Sequence, residues 1–190
     1  MQRRSFLKSV AVAAPAAGLQ SFLVAQALAQ SSAKPSAASL HVVGAGEDRS
    51  GQPHSLGFST ILFKVPASET NGGLFVIEHM HLQGGGPALH MHLSQEEWFY
   101  VMEGEVAFQV GEQRLALHLG ESVMAPRLIP HTFSPVGKTP AHMLIAFCPA
   151  GRMEEYFRDG EKAGGKAAAE KAFMERYDMK WIGPSPFWKS

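Results

Sequence analysis

Four residues of metal-binding types lie in the middle of the chain: His90, His92, Glu97 and His131. His90 and His92 are separated by one residue in a run typical of a β-strand. Residues i and i+2 of a strand point to one face, at a rise of about 3.3 Å per residue, so both imidazoles can reach one ion. With Glu97 and His131 on neighbouring strands, the sequence predicts a site for one divalent metal.

Three imidazoles and one carboxylate leave one or two coordination positions of a metal open. A substrate oxygen or dioxygen can bind at an open position, so this set indicates metal-dependent chemistry on a small molecule. Glu97 is the evident base of the set and the expected catalytic residue. The alternative is a metal-free remnant that only binds a ligand, but burial of four unpaired polar groups would be costly.

The elements that must position these residues are short β-strands. Between Leu40 and Pro149, β-type runs alternate with Gly and Pro, and glycine clusters such as Gly84-Gly85-Gly86 permit tight reversals. An all-β sandwich or barrel is therefore predicted over residues 40–150. The strand-like runs are 60–65, 74–82, 98–102, 106–110, 115–119 and 142–147.

Residues 151–190 have a composition that favours helices and predict a helical tail that caps the barrel. A short helix is expected over 152–159, stopped by Gly160, and a longer one over 166–180. The apolar face of the longer helix would contain Ala169, Ala172, Phe173 and Tyr177. Prolines exclude a regular helix in the last segment, 181–188, whose two tryptophans indicate docking onto an apolar surface or a subunit partner.

The first 29 residues have the features of an export signal. Arg3-Arg4 precedes a moderately apolar run that ends in Ala27-Leu28-Ala29, the pattern of a twin-arginine signal peptide with its cleavage site. An uncleaved membrane anchor is the alternative, but Pro15 and polar residues interrupt the run. Residues 30–39 predict a flexible linker. The expected location is the periplasm, without stable membrane insertion after cleavage.

Composition narrows the classes of function and of metal. The formal net charge is zero, which gives no basic excess for nucleic acid, and Cys148 is the only cysteine, which excludes an intramolecular disulfide. Because twin-arginine export carries folded proteins, the metal would be chosen in the cytoplasm, where availability rather than affinity decides. Iron, manganese or nickel is therefore favoured, and cobalt, copper and zinc are the other candidates.

Two ordered motifs resemble those of the cupin family. The first is Gly84, five residues, His90-Met91-His92, four residues, Glu97, six residues and Gly104; the second is Gly120, five residues, Pro126, four residues and His131. In cupins the corresponding histidines and glutamate bind a metal inside a jelly-roll barrel. The resemblance therefore implies a cupin jelly-roll with ligand roles for His90, His92, Glu97 and His131.

The second motif departs from the cupin pattern at two positions. Leu128 and Pro135 replace the usual glycine and asparagine. Neither is a ligand position, so the changes affect the local turn only.

The choice between Glu96 and Glu97 as the ligand is open from strand alternation. The two residues lie on opposite faces of the strand, and the residues that follow each of them on its face are apolar. Only the spacing to Gly104 in the cupin motif favours Glu97.

His79 and His81 form a second histidine pair at strand spacing. They either contact the substrate or support the metal ligands, or they are ordinary edge-strand histidines. Because no third ligand accompanies them, we favour the edge-strand interpretation.

The stretch from residues 73–79 through 149–151, followed by 153–157, resembles the single-domain cupins related to quercetin 2,3-dioxygenase. The resemblance implies a dioxygenase acting on a flavonol-like or other enolic or aromatic small molecule, with Glu97 as the proton acceptor. The alternative is a non-oxidative cupin, either a metal-dependent isomerase or a periplasmic small-molecule binding protein, because these classes share fold and ligands. A homodimer is also expected, since small cupins pair through exposed sheet edges. The candidates for an apolar pocket, each of which is individually expected to be plain core, are Phe99, Val101, Phe108 and Phe133.

Overall fold

The computed structural model describes residues 40–188. The signal peptide predicted for residues 1–29 and the linker predicted for 30–39 lie outside the described residues, so both stay predictions. Within the described part of the chain, no helix is long and apolar enough to cross a membrane.

Two antiparallel sheets form a jelly-roll sandwich with a small C-terminal helical part, which confirms the predicted fold class. One sheet has the strand order β1-β2-β3-β10-β5-β8, and the other has the order β11-β4-β9-β6-β7. The strands are β1 (His54–Ser55), β2 (Thr60–Val65), β3 (Phe75–Leu82), β4 (Leu89–His92), β5 (Glu96–Glu103), β6 (Glu105–Val110), β7 (Gln113–His118), β8 (Ser122–Ala125), β9 (His131–Pro135), β10 (Ala141–Cys148) and β11 (Met179–Gly183).

Burial alternates along the central strands and gives both sheets an apolar inner face. Along β5, Glu97, Phe99 and Val101 are buried, whereas the residues between them are more exposed. Strand β10, the neighbour of β5, alternates in the same way. Burial of each large apolar side chain contributes about 1.5–3 kcal/mol, so this pattern drives the two faces together.

Aromatic side chains join the two sheets in the centre of the sandwich. Phe99 of the six-stranded sheet contacts Phe108 and Phe133 of the five-stranded sheet edge to face, with ring centroids 5.0 and 5.5 Å apart. Such pairs add about 0.5–1.5 kcal/mol beyond the area they bury. Phe99 and Phe108 are therefore core residues.

The first C-terminal helix, α1 (Met153–Lys162), lays its buried face on the barrel. The predicted stop at Gly160 is wrong, because the helix continues for two more residues. Gly160 lies on the buried face, where a Cβ atom would come within 2.9 Å of Leu56 Cδ2. This glycine permits close packing rather than ending the helix.

The single helix predicted over 166–180 is also wrong. The segment contains a short helix, α2 (Lys171–Met174), between two 3₁₀ turns, Lys166–Ala169 and Glu175–Tyr177, and continues into β11. Glu170 takes an extended conformation (φ −80°, ψ 142°), which interrupts the helical backbone. Packing overrides local helix preference here, because α2 buries its apolar side chains in the core and β11 pairs with β4.

Candidate metal centre

The structure brings the four predicted ligand residues into one buried cluster. His90 and His92 lie on β4 and His131 on β9, all in the five-stranded sheet, whereas Glu97 lies on β5 of the other sheet. His90 and His131 are direct cross-strand partners, and His90 and His92 share the inner face of β4 as the i, i+2 spacing requires. One ligand atom from each of the four residues lies within 4.8 Å of the others.

The glutamate spans the gap between the sheets. Glu97 Oε2 lies 3.0 Å from His92 Nε2 and 2.8 Å from His131 Nε2. The rings of His90 and His131 are 4.6 Å apart, centroid to centroid. These separations suit a single ion held between imidazole nitrogens and a carboxylate oxygen.

Backbone carbonyl groups fix which nitrogen of two imidazoles faces the cluster. His90 Nδ1 donates to Ala88 O at 2.8 Å, and His131 Nδ1 donates to Ile129 O at 3.0 Å. The neutral rings therefore present the Nε2 lone pair to the cluster. In His131 this lone pair faces the carboxylate of Glu97, and two acceptors 2.8 Å apart require a proton or a cation between them. The residues fit a metal ion.

Electrostatic interactions within the cluster also favour the protonation states in which Glu97 and His90 can bind a metal. Burial acts to raise the pKa of Glu97, but its close contacts with the imidazoles of His131 and His92 outweigh burial and hold that pKa below its ordinary range. Burial, together with the neighbouring His131 and His92, lowers the pKa of His90 to about 3. An ionised carboxylate and a neutral imidazole are the forms that bind metals.

Glu96, the alternative to Glu97, lies outside the cluster. Its carboxylate forms an ion pair with Arg127 at the surface, with Nε 2.6 Å from Oε1. Burial alternation along β5 turns Glu97 inward and Glu96 outward. Geometry thus places Glu97 in the cluster and gives Glu96 a surface role.

The turn before His131 keeps a shape that glycine normally provides. Leu128 adopts a left-handed backbone conformation with φ 64°, a region that costs a residue with a Cβ atom about 1–2 kcal/mol. The Leu128 backbone N–H donates to His92 O at 2.8 Å. The departure from the cupin motif therefore leaves the turn in place and tied to the backbone of a ligand residue.

A cavity adjoins the cluster, and most of its other lining side chains are apolar. Of the four residues predicted to line a pocket, only Phe133 does so. Many of the other wall residues come from the N-terminal edge and the C-terminal segment, which are distant in sequence from the motifs, and sequence reasoning missed them. The lining residues are Leu56, Phe58, His79, Pro87, His90, His92, Glu97, Phe133, Ile145, Phe147, Met153, Tyr156, Phe157, Ala168, Ala169 and Met179.

The histidine pair on β3 divides between the interior and the surface. His79 is only 3% exposed and lines the cavity, whereas His81 is exposed. The edge-strand interpretation is wrong for His79, because β3 lies between β2 and β10 and not at an edge of its sheet. A missed signal is strand alternation itself, since His79 shares its face with buried Ile77.

Comparison with known proteins agrees with this architecture. Residues 77–147 match the family described as "Cupin domain". No protein with a curated description matches the sequence. An RmlC-like cupin from Shewanella frigidimarina superposes with a TM-score of 0.50 and 20% identity over 59% of this chain and 93% of that chain.

A structure of PAC13 from Streptomyces with uridine superposes with a TM-score of 0.51 and 9% identity, over 77% of this chain and 93% of that chain. Another structure of PAC13, which is described as a nucleoside dehydratase, superposes on this chain with a TM-score of 0.50. Likeness at such low identity shows the fold alone. The match over residues 77–147 and the fold agree with the cupin-like motifs, and both sheets of this cupin-like fold contribute to one buried cluster of three histidines and a glutamate.

Proposed function

We propose that this protein is a metal-dependent cupin dioxygenase acting on a small enolic or aromatic molecule. The observation that carries the proposal is the buried donor set of three histidines and one glutamate, with an apolar cavity beside it. Such a set holds a metal with reduced charge and leaves room for exchangeable ligands. Iron, manganese and nickel are our first candidates, followed by cobalt, copper and zinc.

His90, His92, Glu97 and His131 would hold the metal through their Nε2 atoms and the Glu97 carboxylate. When bound, the metal supplies a Lewis acid for the substrate oxygen and, where it is redox-active, the means to react with dioxygen. The apolar walls formed by Phe133, Ile145 and Phe147, with the C-terminal segment, limit the amount of water beside the cluster and so strengthen electrostatic interactions in the cavity.

Glu97 is the group that we assign to take the proton of the enolic hydroxyl. His92 and His131 contact its Oε2 atom, so Oε1 is the oxygen assigned to accept that proton. Because these contacts depress the pKa of Glu97, the carboxylate must loosen from at least one imidazole to act as an effective base. With Glu97 as the proton acceptor, no further base is needed to ionise the enolic hydroxyl.

The proposed overall reaction inserts both atoms of dioxygen into the substrate. An enol R–C(OH)=CH–R′ and O₂ would give R–COOH and R′–CHO. The carbon–carbon double bond is cleaved, the two carbons are oxidised and dioxygen is reduced, so no separate reductant is needed. Two new carbon–oxygen bonds account for both oxygen atoms.

The size of the cavity favours a small substrate over a complete flavonol. The space that the centre of a water molecule can occupy is about 50 Å³, which is room for a few waters. A large flat molecule would need the C-terminal wall to move. Small enols and catechols are therefore the substrates that we place first.

Oxygen consumption tests the proposed activity. Protein loaded separately with Fe(II), Mn(II) or Ni(II) is mixed with 2,4-pentanedione, catechol or quercetin, and dissolved oxygen is recorded. We expect consumption that depends on metal and substrate and that Glu97→Gln abolishes, whereas Glu96→Gln, a matched change at the surface, leaves it intact. Substrate binding without oxygen consumption by any of these metals would instead support a non-oxidative isomerase or binding protein.

Two further proposals concern location and assembly. We propose that the chain is exported to the periplasm by a twin-arginine signal, because Arg3-Arg4 precedes an apolar run that ends in the small-residue sequence Ala27-Leu28-Ala29. We also propose a homodimer that covers a sheet edge, since β7 and β8 end the two sheets. Cell fractionation of the Arg3→Lys and Arg4→Lys variants and of unaltered protein tests the proposed export. Sedimentation tests the proposed homodimer.

A further inference from the structure

The cavity contains a second polar group besides the metal cluster. His79 lies on β3 and Glu97 on β5, with β10 between these strands, and both side chains line the same cavity. His79 is 3% exposed. The remaining lining side chains are apolar apart from Tyr156, whose hydroxyl donates to Ala168 O at 3.0 Å.

A hydrogen bond to Ser59 determines which His79 nitrogen carries the proton. Ser59 Oγ lies 2.6 Å from His79 Nε2 and, among the described residues, this is the one hydrogen bond of the hydroxyl group. A hydroxyl proton must have an acceptor when it is buried, so Ser59 donates and Nε2 accepts. The proton of the neutral ring therefore resides on Nδ1.

This Nδ1–H is a buried donor with no acceptor in the part of the chain that the structure describes. Within residues 40–188, His79 Nδ1 has no hydrogen-bond partner. The ring is held in place edge to face by Phe58 and Phe133, with centroid separations of 5.9 and 6.0 Å. A buried unpaired donor is costly, and in a site wall it is the kind of group that a ligand satisfies.

His79 is uncharged at neutral pH. Burial lowers its pKa to about 4; the charge of Glu97 opposes this shift, and His142 adds to it. A neutral donor can bind a ligand oxygen without bringing a second positive charge towards the metal cluster.

We propose that His79, oriented by Ser59, is a second substrate-binding group whose Nδ1–H donates to a substrate oxygen other than the one at the metal. The substrate is then a short apolar molecule with one oxygen function held at the metal cluster and another at the His79 end. The proposal rests on the proposed use of the cavity as a substrate site. It adds a specificity that the four ligand residues do not supply.

A comparison of carboxylates that differ by one carbonyl oxygen tests this role. The probes are levulinate, 5-oxohexanoate and 6-oxoheptanoate, paired with pentanoate, hexanoate and heptanoate. Dissociation constants are measured by calorimetry with zinc-loaded protein, in which no redox chemistry occurs. At one chain length we expect the oxo acid to bind about threefold to tenfold more tightly than its plain partner, as one neutral hydrogen bond provides.

Variants assign this difference to the histidine. His79→Leu should abolish the preference at every length, whereas His79→Gln, which keeps a donor, should restore part of it. His81→Asn, a change at an exposed histidine two residues away, should preserve it fully. Metal content of the variants should equal that of the unaltered protein, and ¹⁵N spectra of labelled His79 should report the Nδ1–H tautomer and shift with the favoured oxo acid.

Absence of a preference for the oxo acid at all three lengths, or an equal preference in His79→Leu, would overturn the proposal. A His79 ring protonated on Nε2 would do the same. Failure of the dioxygenase proposal has a different signature, because it would appear as absent oxygen consumption with redox metals while the zinc-based preference persisted.

Discussion

His131 Nε2 lies 2.8 Å from Glu97 Oε2, although the two residues belong to different sheets of the sandwich. Because His131 Nδ1 donates to Ile129 O, the neutral ring offers a lone pair to an anionic oxygen. Either a shared proton or a cation must lie between two such acceptors. This relationship connects the sheets through the site and makes metal binding and barrel stability interdependent.

Removal of metal should therefore lower thermal stability. A ligand that binds only the folded state stabilises it by about 2.7 kcal/mol at a concentration one hundred times its Kd. We expect the Tm to fall when a chelator is added to metal-loaded protein and to recover when metal is restored, as measured by calorimetry. An identical Tm before and after chelation would show that the two sheets do not share a bound ion.

Phe157→Ala should destabilise the fold and enlarge the cavity. Phe157 is buried and its ring lies 6.0 Å from Phe147 and 6.1 Å from Phe75, centroid to centroid. Truncation of a buried phenylalanine costs about 3–5 kcal/mol. Urea unfolding should report this loss, and quercetin binding should strengthen relative to catechol.

Glu155→Ala is the matched control for that change, since Glu155 lies on the exposed face of the same helix. Its free energy of unfolding should stay within about 0.5 kcal/mol of the unaltered protein. A small loss for Phe157→Ala, equal to that of the control, would mean that helix α1 does not form the cavity wall.

Leu128→Gly should stabilise the turn before His131. Leu128 has φ 64° and is 56% exposed, so the substitution relieves backbone strain and sacrifices little apolar burial. We expect a net gain of about 1 kcal/mol in the free energy of unfolding. This value is smaller than the full relief of strain, because glycine also gives the unfolded chain more conformational entropy. Leu119→Gly, at another exposed leucine, should show no gain, and equal effects at both positions would contradict the strain at Leu128.

Asp48 should make stability depend on pH in the acidic range. Burial acts to raise its pKa, but hydrogen bonds from Ser50 and the Phe63 backbone N–H outweigh it and hold the pKa below its ordinary value. A depressed folded-state pKa gives stability that is fully present above the unfolded pKa of about 3.9 and is lost as pH falls through the folded value.

Asp48→Asn should cost about 1.5–3 kcal/mol at neutral pH, the range for hydrogen bonds to a charged group. The difference from unaltered protein should shrink below about pH 4, as urea unfolding at several pH values would show. Glu112→Gln, at an exposed carboxyl, is the control. A difference independent of pH would assign the cost to packing rather than to ionisation.

Much of the fold could be predicted from the sequence, because strand alternation and motif spacing are local properties of the chain. The i, i+2 spacing placed His90 and His92 on one face, and the spacing to Gly104 favoured Glu97, which the structure turns inward. Exclusion of Glu96 needed three-dimensional information, since the sequence places apolar residues on both faces of β5. Arg127, which pairs with Glu96, lies 31 positions away.

The cavity walls could not be read from the same local patterns. The C-terminal segment favours helix by composition, yet β11 pairs with β4 and places Met179 opposite His92. Such pairing depends on an edge formed far away in sequence. The sequence places His79 at strand spacing but does not reveal its strand neighbours, and only the sheet order shows that β3 lies inside its sheet.

Metal analysis of purified protein tests the central claim most directly. Elemental analysis of unaltered protein should give about one transition metal per chain, held by His90, His92, Glu97 and His131. His131→Ala should lose most of that metal, whereas His118→Ala, at an exposed histidine, should retain it. No stoichiometric metal in the unaltered protein, even after incubation with Fe(II), Mn(II) or Ni(II), would contradict the account.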